Sequence, residues 1–366
     1  MGHFRKQMVS VLLTTRCNMN CLYCITSCNF FDDMDIDINF AKRGIKDYFD
    51  KAKYPYVRFV ALGEPTQNFD TLRKLHAYAR RLTSNQVKFE IQTNGFFDKD
   101  IASWIARNIH EVWLSFDGLP DVHDKIRRSK DDKPTSGVIL RNLKIMQKRT
   151  FVGFRTTIMR LNVRRQLEAL RFAHKHKVKA IFTKIMLPPA NIAPQHKFYQ
   201  IKDSLGVDIM DYAVNFVKAW KLSRKLGIFV GNGYINNFDE ICEYACRACV
   251  PCPHLTPDGY VSACDRATYG RTPLQEFIYG RYDPVNKIIE YDEKKIKTLR
   301  LRNVYNMPEC QNCKVKFRCA GGCLGTYAQL TGSMFKVIPE YCKAIRYMFE
   351  NIDWDPRQGL FPYFMT

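Results

Sequence analysis

The residues best suited to chemistry are fourteen cysteines in two groups. One lies at 17, 21, 24 and 28, the other at 242, 246, 249, 252, 264, 310, 313, 319, 323 and 342. Thiols buried for packing alone would be scattered, whereas clusters with short fixed gaps point to metal. Cys17-x-x-x-Cys21-x-x-Cys24 follows directly on a strand-like segment. Three thiolates so spaced can hold three irons of a four-iron, four-sulfur (4Fe–4S) cluster and leave the fourth iron open to a ligand. Cys28, outside that spacing, reads as a spare thiol. Turn-forming triplets and tetrads close the next strands: Gly63-Glu64-Pro65, Gln92-Thr93-Asn94-Gly95 and Ser115-Phe116-Asp117-Gly118, the last followed by Arg127. Asp265 comes directly after Cys264, and a carboxylate beside a cluster and shielded from water suits a general base.

The CxxxCxxC spacing, with Tyr23 before its third cysteine, resembles the signature of the radical S-adenosylmethionine (SAM) enzymes. The resemblance implies that SAM binds the open iron and is cleaved by one electron, giving a 5′-deoxyadenosyl radical that removes a hydrogen from an unactivated carbon. Gly63, Glu64 and Pro65 stand where the family has a Gly-Gly-Glu-Pro turn that hydrogen-bonds the SAM amino group, with Leu62 in place of the first glycine. In the related sulfatase-maturing enzymes a serine, and an arginine twelve residues later, hold the SAM carboxylate and ribose, which implicates Ser115 and Arg127. The resemblance also assigns Asn162 to SAM, Gln92 to a peptide substrate, and Asp265 to proton removal from the oxidised side chain.

The second cysteine group resembles the SPASM domain, which carries two auxiliary 4Fe–4S clusters. The pattern rests on Cys249-x9-Gly259-x4-Cys264, Cys310-x-x-Cys313-x5-Cys319-x-x-x-Cys323 and Cys342. Two fully ligated clusters need eight thiolates, so one more comes from upstream: Cys242 or Cys246, with Cys252 a third candidate. The resemblance gives one cluster Cys249, Cys264, Cys323 and one of Cys242 or Cys246. It gives the other Cys310, Cys313, Cys319 and Cys342. Three 4Fe–4S clusters and SAM are thus the expected cofactors.

These residues need a scaffold. Strand-like segments at Met8–Thr14, Val57–Leu62, Val87–Thr93, Glu111–Phe116, Phe151–Ile158 and Lys179–Ile185 alternate with helical periodicity at Phe40–Phe49, Thr71–Leu82, Ile101–Asn108, Val138–Lys148 and Arg164–His174. Asp70 and Asp98 are candidate helix caps. Six βα units predict an α/β fold: a partial (β/α)6 TIM-like barrel with its site at the C-terminal strand ends. A long helix over Met210–Leu226 follows. From Gly231 the periodicity collapses into Cys-, Gly- and Pro-rich sequence that needs metal to hold it. The expected domains are 1–230 for the barrel, 231–345 for a cysteine-rich SPASM iron–sulfur domain, and 346–366 for a tail with no assignable role.

The chain of 366 residues is 46 % hydrophobic and 25 % charged, a globular composition. It has no apolar run of transmembrane length, no h-region after Met1-Gly2-His3-Phe4-Arg5-Lys6 and no Ser or Thr at position 6 for myristoylation. A soluble cytoplasmic protein with reduced thiols is expected. The net charge is +21, and residues 124–184 alone hold 18 Lys+Arg against 4 Asp+Glu. Such a basic face suits an acidic peptide; nucleic acid is disfavoured because no recognised binding motif is present. The leading reading is a radical SAM oxidoreductase that oxidises or crosslinks, through thioether or C–C bonds, a peptide or protein side chain. Its implied partners are a flavodoxin- or ferredoxin-type electron donor and a separate leader-peptide-binding protein. Competing readings are formylglycine formation on sulfatases, against which Ile25 stands where those enzymes carry an aromatic pair, dehydrogenation of a small molecule such as an aminosugar, and a zinc-binding scaffold.

Overall fold

The computed structural model describes residues 7–24, 32–187, 204–234 and 242–352. Cys28, Ile25 and the tail from 353 onward lie outside the described residues.

Six predicted strands are present: β1 (Val9–Leu12), β2 (Tyr56–Val60), β3 (Lys88–Thr93), β4 (Glu111–Ser115), β5 (Phe151–Ile158) and β6 (Ala180–Ile185). They pair in parallel in chain order, as right-handed crossovers through intervening helices require. Those helices are α1 (Ile38–Phe49), α2 (Phe69–Leu82), α3 (Lys99–Asn108), α4 (Pro120–Ile126), α5 (Ser136–Met146) and α6 (Gln166–Lys175). Side chains alternate along each strand. Val57, Phe59, Phe89, Ile91, Val112 and Leu114 enter the core beneath the helices. Arg58, Glu90, Gln92, Trp113 and Ser115 occupy the other face and point into the barrel.

The cap expectations are corrected. Asp98 holds the N-cap position of α3, but its carboxylate accepts no amide hydrogen there. Asp70 sits inside the first turn of α2, because a 3-10 turn over Pro65–Asn68 runs straight into that helix and puts Asn68 at the cap position. Asp37 caps α1, accepting from the amides of Asn39 and Phe40.

The sheet also runs past residue 230. After α7 (Ile209–Leu226), capped by Asp208 and closed by Gly227 at φ +65°, strand β7 (Phe229–Asn232) pairs in parallel with β6. Strand β8 (His254–Leu255) then joins the free side of β1, with Ser10 beside His254. Strands β9 (Tyr260–Ser262), β10 (Ile278–Asp283) and β11 (Ile288–Tyr291) extend that side in antiparallel pairing. The eleven-stranded sheet has β11 and β7 at its edges, so the barrel stays open. The cysteine-rich segment therefore contributes backbone pairing as well as thiols, and it carries Cys264 and Asp265 on the loop after β9.

Four more helices follow: α8 (Glu293–Arg300), α9 (Lys316–Cys319), α10 (Leu324–Thr331) and α11 (Pro339–Asn351), the last packed on α7. Arg302, fully buried, donates to the carbonyls of Met334 (2.6 Å), Ala320 (3.3 Å) and Gly321 (2.5 Å). It thereby fixes the cysteine-bearing turn, in which Ala320, Gly321 and Gly322 all adopt positive φ. Among the described residues no helix is long and apolar enough to cross a membrane.

Candidate functional site

The loop bearing Cys17, Cys21 and Cys24 leaves the C-terminal end of β1 and is strapped to the segment after α4. The Asn20 amide donates to the Arg128 carbonyl (2.8 Å), and the Leu22 amide to that of Ile126 (3.0 Å). Asn94, at the end of β3, donates to the Asn18 side chain at 2.8 Å and lies 3.9 Å from the Cys17 sulfur. The Arg127 guanidinium lies 4.0 Å from the Cys21 sulfur. Burial pushes the Cys17 thiol up to about 12 and the Cys21 thiol higher still; Cys24 raises both further, and Cys17 also raises Cys21. Thiols gathered so closely out of water ionise only when a metal centre supplies the opposite charge, so this donor set fits a cluster.

Gly63 allows the second strand's turn to meet this loop. A Cβ there would lie 2.0 Å from the Arg16 carbonyl oxygen and 2.5 Å from that of Thr15, so only glycine fits. The following Glu64 is 1 % exposed. Its carboxylate accepts from the Thr93 hydroxyl (2.6 Å), the Asn94 amide (2.7 Å), and the hydroxyl and amide of Thr66 (2.9 and 3.2 Å). Burial raises its pKa while these donors oppose the rise. The carboxylate thus ties the turn after β2, with Pro65 opening its 3-10 segment, to the turn after β3.

Ser115 closes β4 on the inner face, half-buried. Arg127 is deeply set and its Nε donates to Asp117 at 2.9 Å, while its guanidinium lies over the Tyr23 ring at 5.2 Å. Asp117, fully buried, also accepts from the Tyr23 hydroxyl (2.7 Å) and the Thr157 amide (3.0 Å). Sequence reasoning quoted Asp117 within its tetrad but gave it no role; it joins the cysteine loop to β4, β5 and Arg127. The Asn162 side-chain amide donates to the carbonyls of Asp117 (3.2 Å) and Thr157 (2.9 Å), and its oxygen accepts the Met159 amide (2.7 Å). A side chain so committed to backbone braces the rim of the barrel.

Inside the barrel, Trp113 lies across Gly153, where a Cβ would approach its ring to 2.5 Å, and packs with Phe151 and Ala180 as an apolar floor. A polar cluster shares the same inner face. Arg58, 2 % exposed, bridges both oxygens of Asp265 (3.1 and 3.3 Å) and the Gln92 side-chain oxygen (3.2 Å), with Glu90 3.4 Å from its Nε. His254 Nε2 lies 2.9 Å from Asp265. The Asp265 side chain remains 47 % exposed between partners that are 2 % and 3 % exposed, so it faces an open chamber. Its depth in the barrel would raise its pKa, but Arg58 and then His254 outweigh this and hold the carboxyl well below the usual range. Arg155, on β5 beside Ser115, lies over the Phe182 ring at 5.4 Å; burial, reinforced by the Arg58 charge, lowers its pKa to about 10. Arg58, Glu90, His254 and Arg155 escaped sequence reasoning. The signal for Arg58 was present: a lone cation within the apolar strand Tyr-Val-Arg-Phe-Val.

The C-terminal thiols form two sets. Cys246 hydrogen-bonds Cys249, and Cys264 feels first Cys323 and then Cys246. Cys319 feels Cys342, Cys310 and Cys313. The Cys242 thiol instead donates to the Tyr244 carbonyl at 2.9 Å. Cys252 is buried, with Arg247 as its strongest charged neighbour and Cys246 a weaker one. Gly325 has no room for a Cβ, which would lie 2.6 Å from the Cys264 sulfur. Among the described residues no three His, Cys, Asp or Glu side chains converge on a single metal-ion position. A 4Fe–4S cluster takes its thiolates on separate irons.

A sequence model of the radical SAM superfamily matches residues 11–193, and the chain belongs to that superfamily, whose members bind SAM and a 4Fe–4S cluster. It is a radical SAM enzyme. It is 22 % identical over 336 residues to the cysteine-type anaerobic sulfatase-maturating enzyme of Clostridium novyi, covering 85 % of each chain. Its fold matches native anSMEcpe with bound AdoMet at TM-score 0.74, with 19 % identity over 94 % of this chain and 96 % of that one. It also matches Streptococcus suis SuiB bound to precursor peptide SuiA at TM-score 0.64, with 16 % identity over 93 % and 76 % of the two chains.

Proposed function

We propose that this enzyme acts on a peptide or protein side chain and leaves it oxidised or crosslinked through a thioether or C–C bond. The observation that carries this reading is the chamber itself. Asp265, delivered by the cysteine-rich segment, stands exposed on the inner face of the barrel and is joined through Arg58 to Gln92. Cys17, Cys21 and Cys24 would hold the SAM-binding cluster, and Gly63, Glu64, Pro65, Ser115 and Arg127 would shape the SAM site, with Asn162 bracing it. SAM and the cluster, held there, would supply radical chemistry able to remove a hydrogen atom from an unactivated carbon of the substrate. The chain's own work is to orient the substrate against Gln92, exclude water, and take up a proton at the Asp265 carboxylate, which Arg58 keeps ionised.

Cys246, Cys249, Cys264 and Cys323 would ligate one auxiliary cluster, and Cys310, Cys313, Cys319 and Cys342 the other. The mutual proximity of Cys246, Cys249 and Cys264 favours Cys246 over Cys242 as the eighth ligand. A flavodoxin- or ferredoxin-type protein would deliver electrons, a separate leader-binding protein would present the peptide, and the reaction would run in the cytoplasm.

Formylglycine formation is the nearest second reading, favoured by the Gln92–Arg58–Asp265 arrangement and by the Clostridium novyi relative. Anaerobic incubation with SAM, a reductant and candidate peptides tests both. 5′-Deoxyadenosine is expected together with a peptide 2 Da lighter for a crosslink or an oxidised serine, or about 18 Da lighter for a cysteine that becomes formylglycine with release of sulfide and uptake of water oxygen; fragmentation locates the change. Failure to form 5′-deoxyadenosine under reducing conditions contradicts both readings.

A further inference from the structure

The barrel chamber holds more cations than its carboxylates use. Glu90 and Asp265 are taken by Arg58, and Asp265 also by His254. Glu111, in register with Glu90 on the next strand, accepts from the Tyr56 hydroxyl (3.1 Å) and the Trp113 indole (2.7 Å). Arg155 on β5 and Lys184 on β6 share the inner face with these groups. Lys184 follows Ala180 and Phe182 in the same alternation, and it pairs in register with Thr157, two residues beyond Arg155. Neither cation has a carboxylate within ion-pair distance among the described residues. Arg155 rests on Phe182, and the stem of Lys184 runs past Gly233, which offers no side chain there. Burying a guanidinium without a counter-charge is costly. A site that keeps one open toward a reaction chamber is built for an anion that arrives with the substrate.

We propose that Arg155 and Lys184 form a carboxylate-binding subsite for the substrate, so that the modified residue carries, or directly adjoins, a carboxylate. The position favours substrate over SAM. Arg155 pairs in register with Ser115, yet the charges it feels most are Arg58, Asp265, Glu90 and Arg247, which belong to the chamber and the cysteine-rich segment, whereas Arg127 and Asp117 lie with the cluster loop. The carboxylate would come from an Asp or Glu side chain or from a chain terminus. This inference rests on the chamber being the reaction site, and the two are separable: 5′-deoxyadenosine formation from SAM and reductant tests the chamber's chemistry, and anion binding tests the subsite.

The test is anaerobic calorimetry on the reconstituted full chain saturated with SAM. The probes are N-acetylglutamate α-amide for a side-chain carboxylate, N-acetylalanine for a terminal one, and neutral N-acetylglutamine α-amide. A charge-assisted bidentate contact predicts at least roughly tenfold tighter binding of one acid over the neutral amide. Whichever acid is preferred identifies the source. Arg155→Gln and Lys184→Gln each abolish the preference, Arg155→Lys restores part of it, and the exposed Lys175→Gln leaves it intact. Cluster absorbance confirms that the variants are folded. Equal binding of acid and amide, no binding of either acid, an unchanged preference in Arg155→Gln, or weakened SAM binding in that variant would each overturn the subsite.

Discussion

The tightest steric constraint in the site is at Gly63, and Gly63→Ala turns it into a measurement. The added Cβ would stand 2.0 Å from the Arg16 carbonyl oxygen and 2.4 Å from its carbon, a full ångström inside the 3.0 Å that real Cβ atoms observe. The obstacle is backbone, so no rotamer change relieves it. The Glu64 amide donates to that same oxygen at 2.8 Å and the Gly63 amide donates to Thr14 at 3.3 Å, which locks both strands of the contact. Overpacking costs about 1–3 kcal/mol where side chains can shift; here the cost belongs at the top of that range, about 3 kcal/mol. Any relief must come from displacing Thr15 and Arg16, the residues that launch Cys17. Two readouts follow: denaturation of the anaerobically reconstituted protein by urea, and 5′-deoxyadenosine formed per chain. The variant should lose stability by about 3 kcal/mol and lose most SAM cleavage, while the auxiliary clusters stay bound. Parental stability with a parental rate of SAM cleavage would refute the steric argument.

Replacing Cys17, Cys21 and Cys24 together by Ala should abolish 5′-deoxyadenosine formation while chain-bound iron falls by about a third, as expected for one of three four-iron clusters. Undiminished SAM cleavage in that variant would remove the assignment. Cys246→Ala should cost an auxiliary cluster and Cys242→Ala should not; equal iron in the two variants contradicts the choice between them. Asp265→Asn should slow product formation more than SAM cleavage. Because the Asp265 pKa is depressed in the folded chain, its ion pairs contribute full stability above the ordinary carboxylate pKa and lose it only as the pH falls below about 4. The stability difference between the parent and Asp265→Asn should therefore shrink as the pH falls below about 4; a difference unchanged down to about pH 2 would show that these ion pairs do not stabilise the folded chain.

The barrel strands were legible because each is a short β-branched or aromatic run bounded by turns, and β5 falls on Phe151–Ile158 as read. The cysteine spacing was legible because ligand geometry constrains sequence distance directly. The strands β8 to β11 were not. Two or three residues, as in His254–Leu255 and Tyr260–Ser262, carry no periodicity, and the pairing of β8 with β1 is a long-range choice that local sequence does not encode. The polar chamber was hidden for a different reason. On a strand, alternation of apolar and polar residues normally means one face in water. In a partial barrel the same alternation sends Arg58, Glu90 and Arg155 inward, and only the curvature of the sheet reveals it. Asn162 and Glu64 show a further limit: the hydrogen bonds to neighbouring turns that engage their side chains are long-range and leave no local mark in the sequence.

The central claim is that three sets of thiols hold three four-iron clusters, one for SAM and two beyond it. Iron and acid-labile sulfide per chain, measured after strictly anaerobic purification and reconstitution, test it most directly. The account predicts about 12 of each. About 4 of each would confine the chemistry to Cys17, Cys21 and Cys24 and contradict the roles given to the C-terminal thiols, and zinc without iron would contradict the account as a whole.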